Sequence, residues 1–286
     1  MITWTIQAIA AILLLAIGSY TDLRTSEVPD WVSHGFIYLG FALNLVLTIV
    51  FMDIWFIVAS VIGFALCFAL GYAMYKLGQW GGGDTKVIMA IGSIVGFNFG
   101  DFLLLTFLIN TILVGAAYGI IWSLIVAFRN WKNFTQTYLN YTKSKPIIKI
   151  RIGLYAFVVF AIVASLFIAP IFRIEIFSIA AIIFFLVHLW IIIKVVEKSC
   201  MIQEVNPSKL TEGDWIVEDV VVKGKKITGP KDLGIEKSQI AELKKLGVKK
   251  VKVKYGIPFV PSFLIAFILA LIVGAWYLGF FKMLGT

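Results

Sequence analysis

The chain alternates long apolar runs with short polar breaks, and most of the runs are long enough to cross a membrane. A span needs roughly 20 apolar residues. On that criterion spans are predicted at 2–20, 33–52, 54–75, 102–128, 153–172, 176–196 and 259–281, with a shorter run at 87–97 standing fourth in chain order. At about 1.5 Å per helical residue, 87–97 falls well short of a hydrocarbon core roughly 30 Å thick. It either begins earlier, near Asp84, or crosses only in part. Gly96, Asn98, Gly100 and Asp101 break the chain after it. One sizeable polar segment interrupts the pattern, at 199–256. There Asp214–Val222 alternates weakly, as a strand does, and Lys223–Gly224–Lys225 turns the chain back. Ser238–Leu246 places Ile240, Leu243 and Leu246 at helical spacing ahead of Gly247, and Val248–Lys254 alternates Val with Lys. The expected fold is an all-α, polytopic helical bundle of about eight transmembrane segments with a small cytoplasmic α/β segment. The expected division is 1–198 for the bundle, 199–256 for the polar segment and 257–286 for a last transmembrane helix.

Composition agrees with a membrane chain. Hydrophobic residues make up 60% and charged residues 14%, against roughly 25% charged in soluble domains. The net charge of +9 does not point to nucleic acid, because of where the cations fall. Between the predicted spans, 23 of the 25 Lys and Arg residues lie in the loops 21–32, 76–86, 129–152 and 197–258 or at their edges, leaving only Arg173 and Lys282 on the other side. Basic loops stay cytoplasmic, so both termini are expected outside. Lys76 and Lys86 need the same face as the 129–151 cluster, which requires two crossings between them and keeps the short fourth span. The N-terminus has no basic stretch before its apolar run, which ends in Ser19-Tyr20-Thr21-Asp22; it reads as a first span, not a cleavable signal. Cys67 is in an apolar run and Cys200 in a polar one, so no disulfide between them is expected. No CxxC pair or Cys/His ligand spacing occurs, and no metal or cofactor is expected.

Two stretches carry candidate chemistry, and the charge pattern puts both at the cytoplasmic face. One follows the first span and contains Asp22, Glu27 and Asp30. The other is Gly81-Gly82-Gly83-Asp84-Thr85-Lys86, at the entry to the fourth. Three glycines in succession weaken a helix by about 1 kcal/mol each relative to Ala and permit positive φ and close backbone approach. At a membrane boundary the exposed backbone must be satisfied by protein or by a water-filled cavity. The run therefore implies a watery notch holding a carboxylate, whereas alone it would equally describe a flexible loop with a surface Asp. Two carboxylates brought together cannot both ionise easily and share a proton. One then activates water as general base while the other serves as general acid.

These stretches resemble a known family. Asp22-Leu23-Arg24…Val28-Pro29 and Gly81-Gly82-Gly83-Asp84-Thr85-Lys86 look like the two catalytic motifs of the type IV prepilin peptidases and archaeal preflagellin peptidases, membrane aspartic proteases of the GxGD type. The motif is matched by Gly81, Gly83 and Asp84, with Lys86 also in the pattern. The stretch Val253–Pro261 resembles the C-terminal part of the archaeal branch. The resemblance implies an aspartic endopeptidase with Asp22 and Asp84 as catalytic dyad. Its partners would be pilin-like or flagellin precursors with a short basic leader and a hydrophobic helix, together with membrane lipid and no nucleic acid. Cleavage would fall at the cytoplasmic boundary. Bacterial members often carry a Cys-rich metal loop and methylate the new N-terminus. Neither that loop nor an S-adenosylmethionine fingerprint is present here, which favours the archaeal form with cleavage only.

Within this reading Gly81, Gly82 and Gly83 shape the notch and Lys86 biases the charge of Asp84. Glu27 and Asp30 either hold a cationic leader or form a solvated acidic loop. The rival is a transporter that binds a proton or cation at Asp22 and Asp84, since broken helices at carboxylates occur there too. Transporters usually place such sites near the midplane of paired repeats, and no repeat is visible. Gly92/Gly96 and Gly115/Gly119 read as close helix-packing pairs, Asn44 and Asn110 as interhelical hydrogen bonders, and Trp4, Trp31, Trp55 and Trp80 as interface-belt residues.

Overall fold

The computed structural model describes every residue except 1, 101, 168, 223, 231, 233 and 277–286. Asp101 of the expected break, Lys223 of the expected turn, Lys282 and the end of the 259–281 run therefore lie outside the described residues. The chain is predominantly helical. Among the described residues, six helical stretches are long and apolar enough to cross a membrane. In chain order the helices are α1 (Ile2–Thr25), α2 (Asp30–Phe51), α3 (Trp55–Lys76), α4 (Gly82–Val95), α5 (Leu103–Arg129), α6 (Trp131–Thr142), α7 (Lys145–Leu166), α8 (Arg173–Val196), α9 (Lys237–Lys245) and α10 (Val260–Val273). This is the architecture of a multi-pass helical membrane protein.

Several boundaries differ from the hydrophobicity pattern, for local reasons. No breaker follows the apolar run in α1 until Ser26, which takes a positive φ, and Pro29, so the helix runs on through Ser19–Thr25. Asp22 is thus inside a helix, not in the loop after it. The basic stretch 129–152 is not a loop: it forms α6 and the first two turns of α7, entered through Pro146 in the first turn.

The core is built around α4. Val87, Ile88, Ala90, Ile91 and Ile94 are all buried, and the helix is flanked by α1, α2 and α3. Small residues allow the close approach. The Cβ position of Gly92 meets the Gly63 carbonyl and Cys67, that of Gly96 meets Ala59, and Ser93 faces Gly40. The Gly92/Gly96 pair therefore packs helices as expected. Of Gly115 and Gly119, only Gly115 does so, against Phe259.

With 14 residues α4 is only about 21 Å long, and its last carbonyls need partners in an apolar medium. Asn44 supplies them from α2, its Nδ2 donating to the Ser93 and Ile94 carbonyls at 3.0 Å, and the Ser60 hydroxyl donates to the Ser93 carbonyl from α3. The chain then runs on along α3: the Phe97 N–H donates to the Ala59 carbonyl at 2.8 Å, and the Trp55 indole N–H to the Asn98 side chain at 2.6 Å. Asn110 likewise links helices, donating from α5 to the Ala266 carbonyl of α10.

α10 packs between α1 and α5, while α7 and α8 pair beside them. Between α8 and α10 the chain forms a three-stranded antiparallel sheet in the order β1 (Ile202–Val205), β5 (Val251–Lys254), β2 (Trp215–Ile216), and a hairpin of β3 (Val220–Val222) and β4 (Lys225–Thr228). With α9 these enclose a separate apolar core of Val205, Ile216, Ile227, Ile235, Ile240, Leu243 and Val253. The single strand expected over 214–222 is two short strands in different sheets. Gly247, at φ +69°, follows α9 as its stop.

Candidate active site

Asp22 and Asp84 come from antiparallel neighbours and meet at one level. Gly18 of α1 faces Val87 of α4. One turn further along α1 is Asp22, and about one turn back along α4 is Asp84, so both carboxylates lie at the same end of the α1–α4 pair. They are within electrostatic reach of each other. Asp22 is only 6% exposed, and Asp84 is partly buried.

Each carboxylate is held by backbone amides at the start of a helix. The Asp84 Oδ2 accepts the Gly81 N–H at 2.9 Å. Gly81 caps α4 and Asp84 is its third residue, so the carboxylate reaches back to the cap and sits at the positive end of the helix dipole. The Asp22 Oδ2 accepts the Val260 N–H at 2.9 Å, from the first residue of α10. Backbone donors thus hold both carboxylates, Gly81 that of Asp84, and Val260 with Phe259 beside it that of Asp22. The Tyr118 ring packs edge-on against Phe259, and its hydroxyl is buried without a hydrogen-bond partner among the described residues, within electrostatic reach of Asp22.

The glycines act differently from the expectation. Gly81 is extended at φ −75°, ψ 169°, and Gly82 and Gly83 open α4; none of the three takes a positive φ. Positive φ is used instead at Gly78, at +67°, where α3 ends and the chain turns toward α4. Gly78 is also closed over by Trp215, whose Cη2 would lie 2.7 Å from an added Cβ. Gly83 lies against Val28.

Lys86 does not turn to Asp84. It reaches across to α2 and pairs with Asp30 at 2.5 Å. Glu27 is exposed on the α1–α2 loop. Trp80 is not a belt residue: at 4% exposed it belongs to the bundle core, packed on Phe259 and Phe263 of α10.

Residues 9–120, which carry both aspartates and α1 through most of α5, match the model of the type IV leader peptidase family. Among curated proteins the chain is 36% identical over 90 residues to a preflagellin peptidase of Methanocaldococcus jannaschii, covering 32% of this chain and 38% of that one. It is 32% identical over 84 residues to a preflagellin peptidase of Methanococcus voltae, covering 29% and 36%. It is 30% identical over 97 residues to the prepilin peptidase EppA of Methanothermobacter thermautotrophicus, covering 34% and 25%. The matches therefore span well under half the length of the curated relatives. No solved structure matches the chain. The resemblance read from the two aspartate motifs is borne out: the segment that holds them, residues 9–120, matches the type IV leader peptidase family.

Proposed function

We propose that this protein is a membrane-embedded aspartic endopeptidase that removes the short basic leader from type IV pilin-like or archaeal flagellin precursors. The observation that carries the reading is the pairing of Asp22 and Asp84 at one level, each anchored by backbone amides at the start of a helix. The family of residues 9–120 and the names of the relatives support it. In this mechanism the two carboxylates share one proton. The ionised one removes a proton from a water molecule as it attacks the scissile carbonyl. The protonated one donates to the carbonyl oxygen, and collapse of the tetrahedral intermediate passes a proton to the departing amine. Gly81 supplies the amide that orients Asp84, with Gly82 and Gly83 forming the first turn beside it.

The proposed topology has eight crossings. α4 is the short one, and the Trp55–Asn98 bond supports its crossing, because Trp55 begins α3 whereas Thr85 lies beside Gly71 near the other end of that helix. The aspartates then face the cytoplasm and both termini lie outside, as the Lys and Arg distribution requires. The 1–198 bundle and the 257–286 helix form the membrane part, and 199–256 is the cytoplasmic segment. A precursor lying in the bilayer by its hydrophobic helix would present its leader junction at the α1 and α4 ends, with Glu27 exposed toward a basic leader.

The test is an incubation of membranes containing the protein with a pilin-like precursor bearing a Lys/Arg-Gly boundary. Release of a leader-sized peptide, with a new N-terminus after the Gly, is expected. An intact precursor alongside membranes of a peptidase known to process it would overturn the proposal. Proton-coupled transport without cleavage would favour the transporter reading.

A further inference from the structure

The soluble module, residues 199–256, meets the turn before Asp84 and leads directly into the helix that holds Asp22, both from one corner of its sheet. β2 and β5 pair antiparallel with Trp215 opposite Lys254. Trp215 covers Gly78, in the turn that leads from α3 into Gly81 and Asp84. Next to it, Asp214 is within electrostatic reach of Glu27 of the α1–α2 loop. Burial raises the Asp214 carboxyl above its ordinary range, the Thr211 N–H opposes this, and the Glu27 charge adds to it. From the paired strand the chain leaves β5 at Lys254 and reaches α10 at Val260 after only five residues. Val260 donates its amide to Asp22. Pro258 stiffens this connection, Pro261 sits in the first turn of α10, and Phe259 within the connection packs on Trp80. The corner is tied to the rest of the module, with the Tyr255 N–H bonded to the Met201 carbonyl at 2.9 Å and Lys254 paired with Glu197.

We propose that the β2–β5 corner of the soluble module is a clamp that sets the position of Asp84 relative to Asp22, with Trp215 as its positioning residue. This rests on the Asp22–Asp84 peptidase reading. The clamp works because two opposed residues of one strand pair lead, on one side, through Trp215 to the turn before Asp84. On the other side they lead through a five-residue linker to the amide that holds Asp22. Gly78 makes the first grip tight: its positive φ excludes most residues, and the indole leaves no room for a side chain. Trp215 touches neither carboxylate, so its effect is on their mutual geometry. Displacements of about 1 Å in a catalytic constellation cost up to about 100-fold in rate.

The experiment uses the full chain in lipid nanodiscs, with native Cys67 and Cys200 replaced by Ala. Spin labels are placed at Leu23, next to Asp22, and at Leu77, next to Gly78 in the turn that leads to Asp84; they are 52% and 70% exposed. Electron paramagnetic resonance reads their separation, and cleavage of the precursor reads kcat and KM. Trp215→Ala is expected to broaden or shift the separation and lower kcat about 10- to 100-fold with KM changed less than about threefold. Trp215→Phe, which keeps a ring over Gly78, is expected to restore both. Should Trp215→Ala fail to fold, Trp215→Leu takes its place. A folded variant with the wild-type separation and wild-type kcat, or with its loss confined to KM, overturns the clamp while leaving the peptidase reading intact. If wild type cleaves nothing yet the separation responds to Trp215→Ala, the peptidase reading fails and the clamp's geometry stands.

Discussion

Replacing either carboxylate by its amide separates chemistry from stability at this site. In Asp22→Asn the amide oxygen can still accept the Val260 N–H that now bonds Oδ2 at 2.9 Å. Hydrogen bonds to charged groups contribute about 1.5–3 kcal/mol and neutral ones about 0.5–1.5, so the substitution weakens this bond by about 1 kcal/mol. Burying an amide costs less than burying a carboxylate, which offsets the loss. Asp84→Asn keeps the Gly81 N–H bond and gives up the interaction with the α4 dipole, about 0.3–1 kcal/mol. Both proteins should therefore melt within about 4 °C of wild type, the shift that about 1 kcal/mol produces in a chain of this size. Activity should behave otherwise. An amide neither takes up nor releases a proton at useful pH, and proton transfer by a positioned side chain is worth about 100- to 10,000-fold. Each single variant should fall at least that far, and the double variant little further, because the pair acts as a unit. The assay is the mobility shift of a pilin-like precursor incubated with membranes of each variant, with melting of the same solubilised preparations by fluorescence-detected chromatography. A single variant that cleaves at more than about a tenth of the wild-type rate would refute the dyad, since it could not have lost a general acid or base.

Three further outcomes are expected. Gly92→Leu drives a side chain into the Gly63 carbonyl and Cys67, so it should destabilise the bundle by about 1–3 kcal/mol or more; Gly119→Leu, with open space at its Cβ, should leave melting unchanged. Because Lys86 already pairs with Asp30, Glu27→Gln should raise KM for a basic leader more than Asp30→Asn does, by up to about 1 kcal/mol and less at high salt; equal changes with basic and neutralised leaders would reduce Glu27 to a solvated loop residue. Reporter fusions after residues 140 and 205 should read cytoplasmic, and those after residue 100 and at the C-terminus external; a cytoplasmic signal after residue 100 would mean that α4 does not cross.

Much of the molecule was legible along the chain. α2, α3 and α5 match their apolar runs closely, because a lipid-facing helix must be apolar for its whole length and its boundaries show as changes of composition. Asp22 and Asp84 stood out because carboxylates at the ends of apolar runs have few structural uses. Gly92 and Asn44 were legible as packing and bonding residues for the same reason: small or polar residues inside a span need a neighbour. Boundaries lacking a breaker were not legible. α1 continues through Ser19–Thr25, and α7 begins in what composition marks as a loop, because a helix does not stop where the membrane does.

What the sequence by itself determined was the membrane class, most of the spans and the family resemblance of the two aspartate motifs. Only the tertiary structure decided what holds and surrounds those aspartates. The donor to Asp22 is the amide of Val260, 238 residues away, and a backbone N–H is the same group at every non-proline position, so no side chain announces it. Trp80 looks like an interface residue until α10 brings Phe259 and Phe263 over it. Lys86 looks like a neighbour of Asp84, yet it pairs with Asp30, because α4 and α2 pack together and helix direction carries the side chain across. Trp215 carries no local signal at all, since its meaning lies in Gly78, on a helix turn that only folding brings beneath it. Periodicity and composition report each segment's solvent, whereas partners distant in sequence are set by how the segments pack.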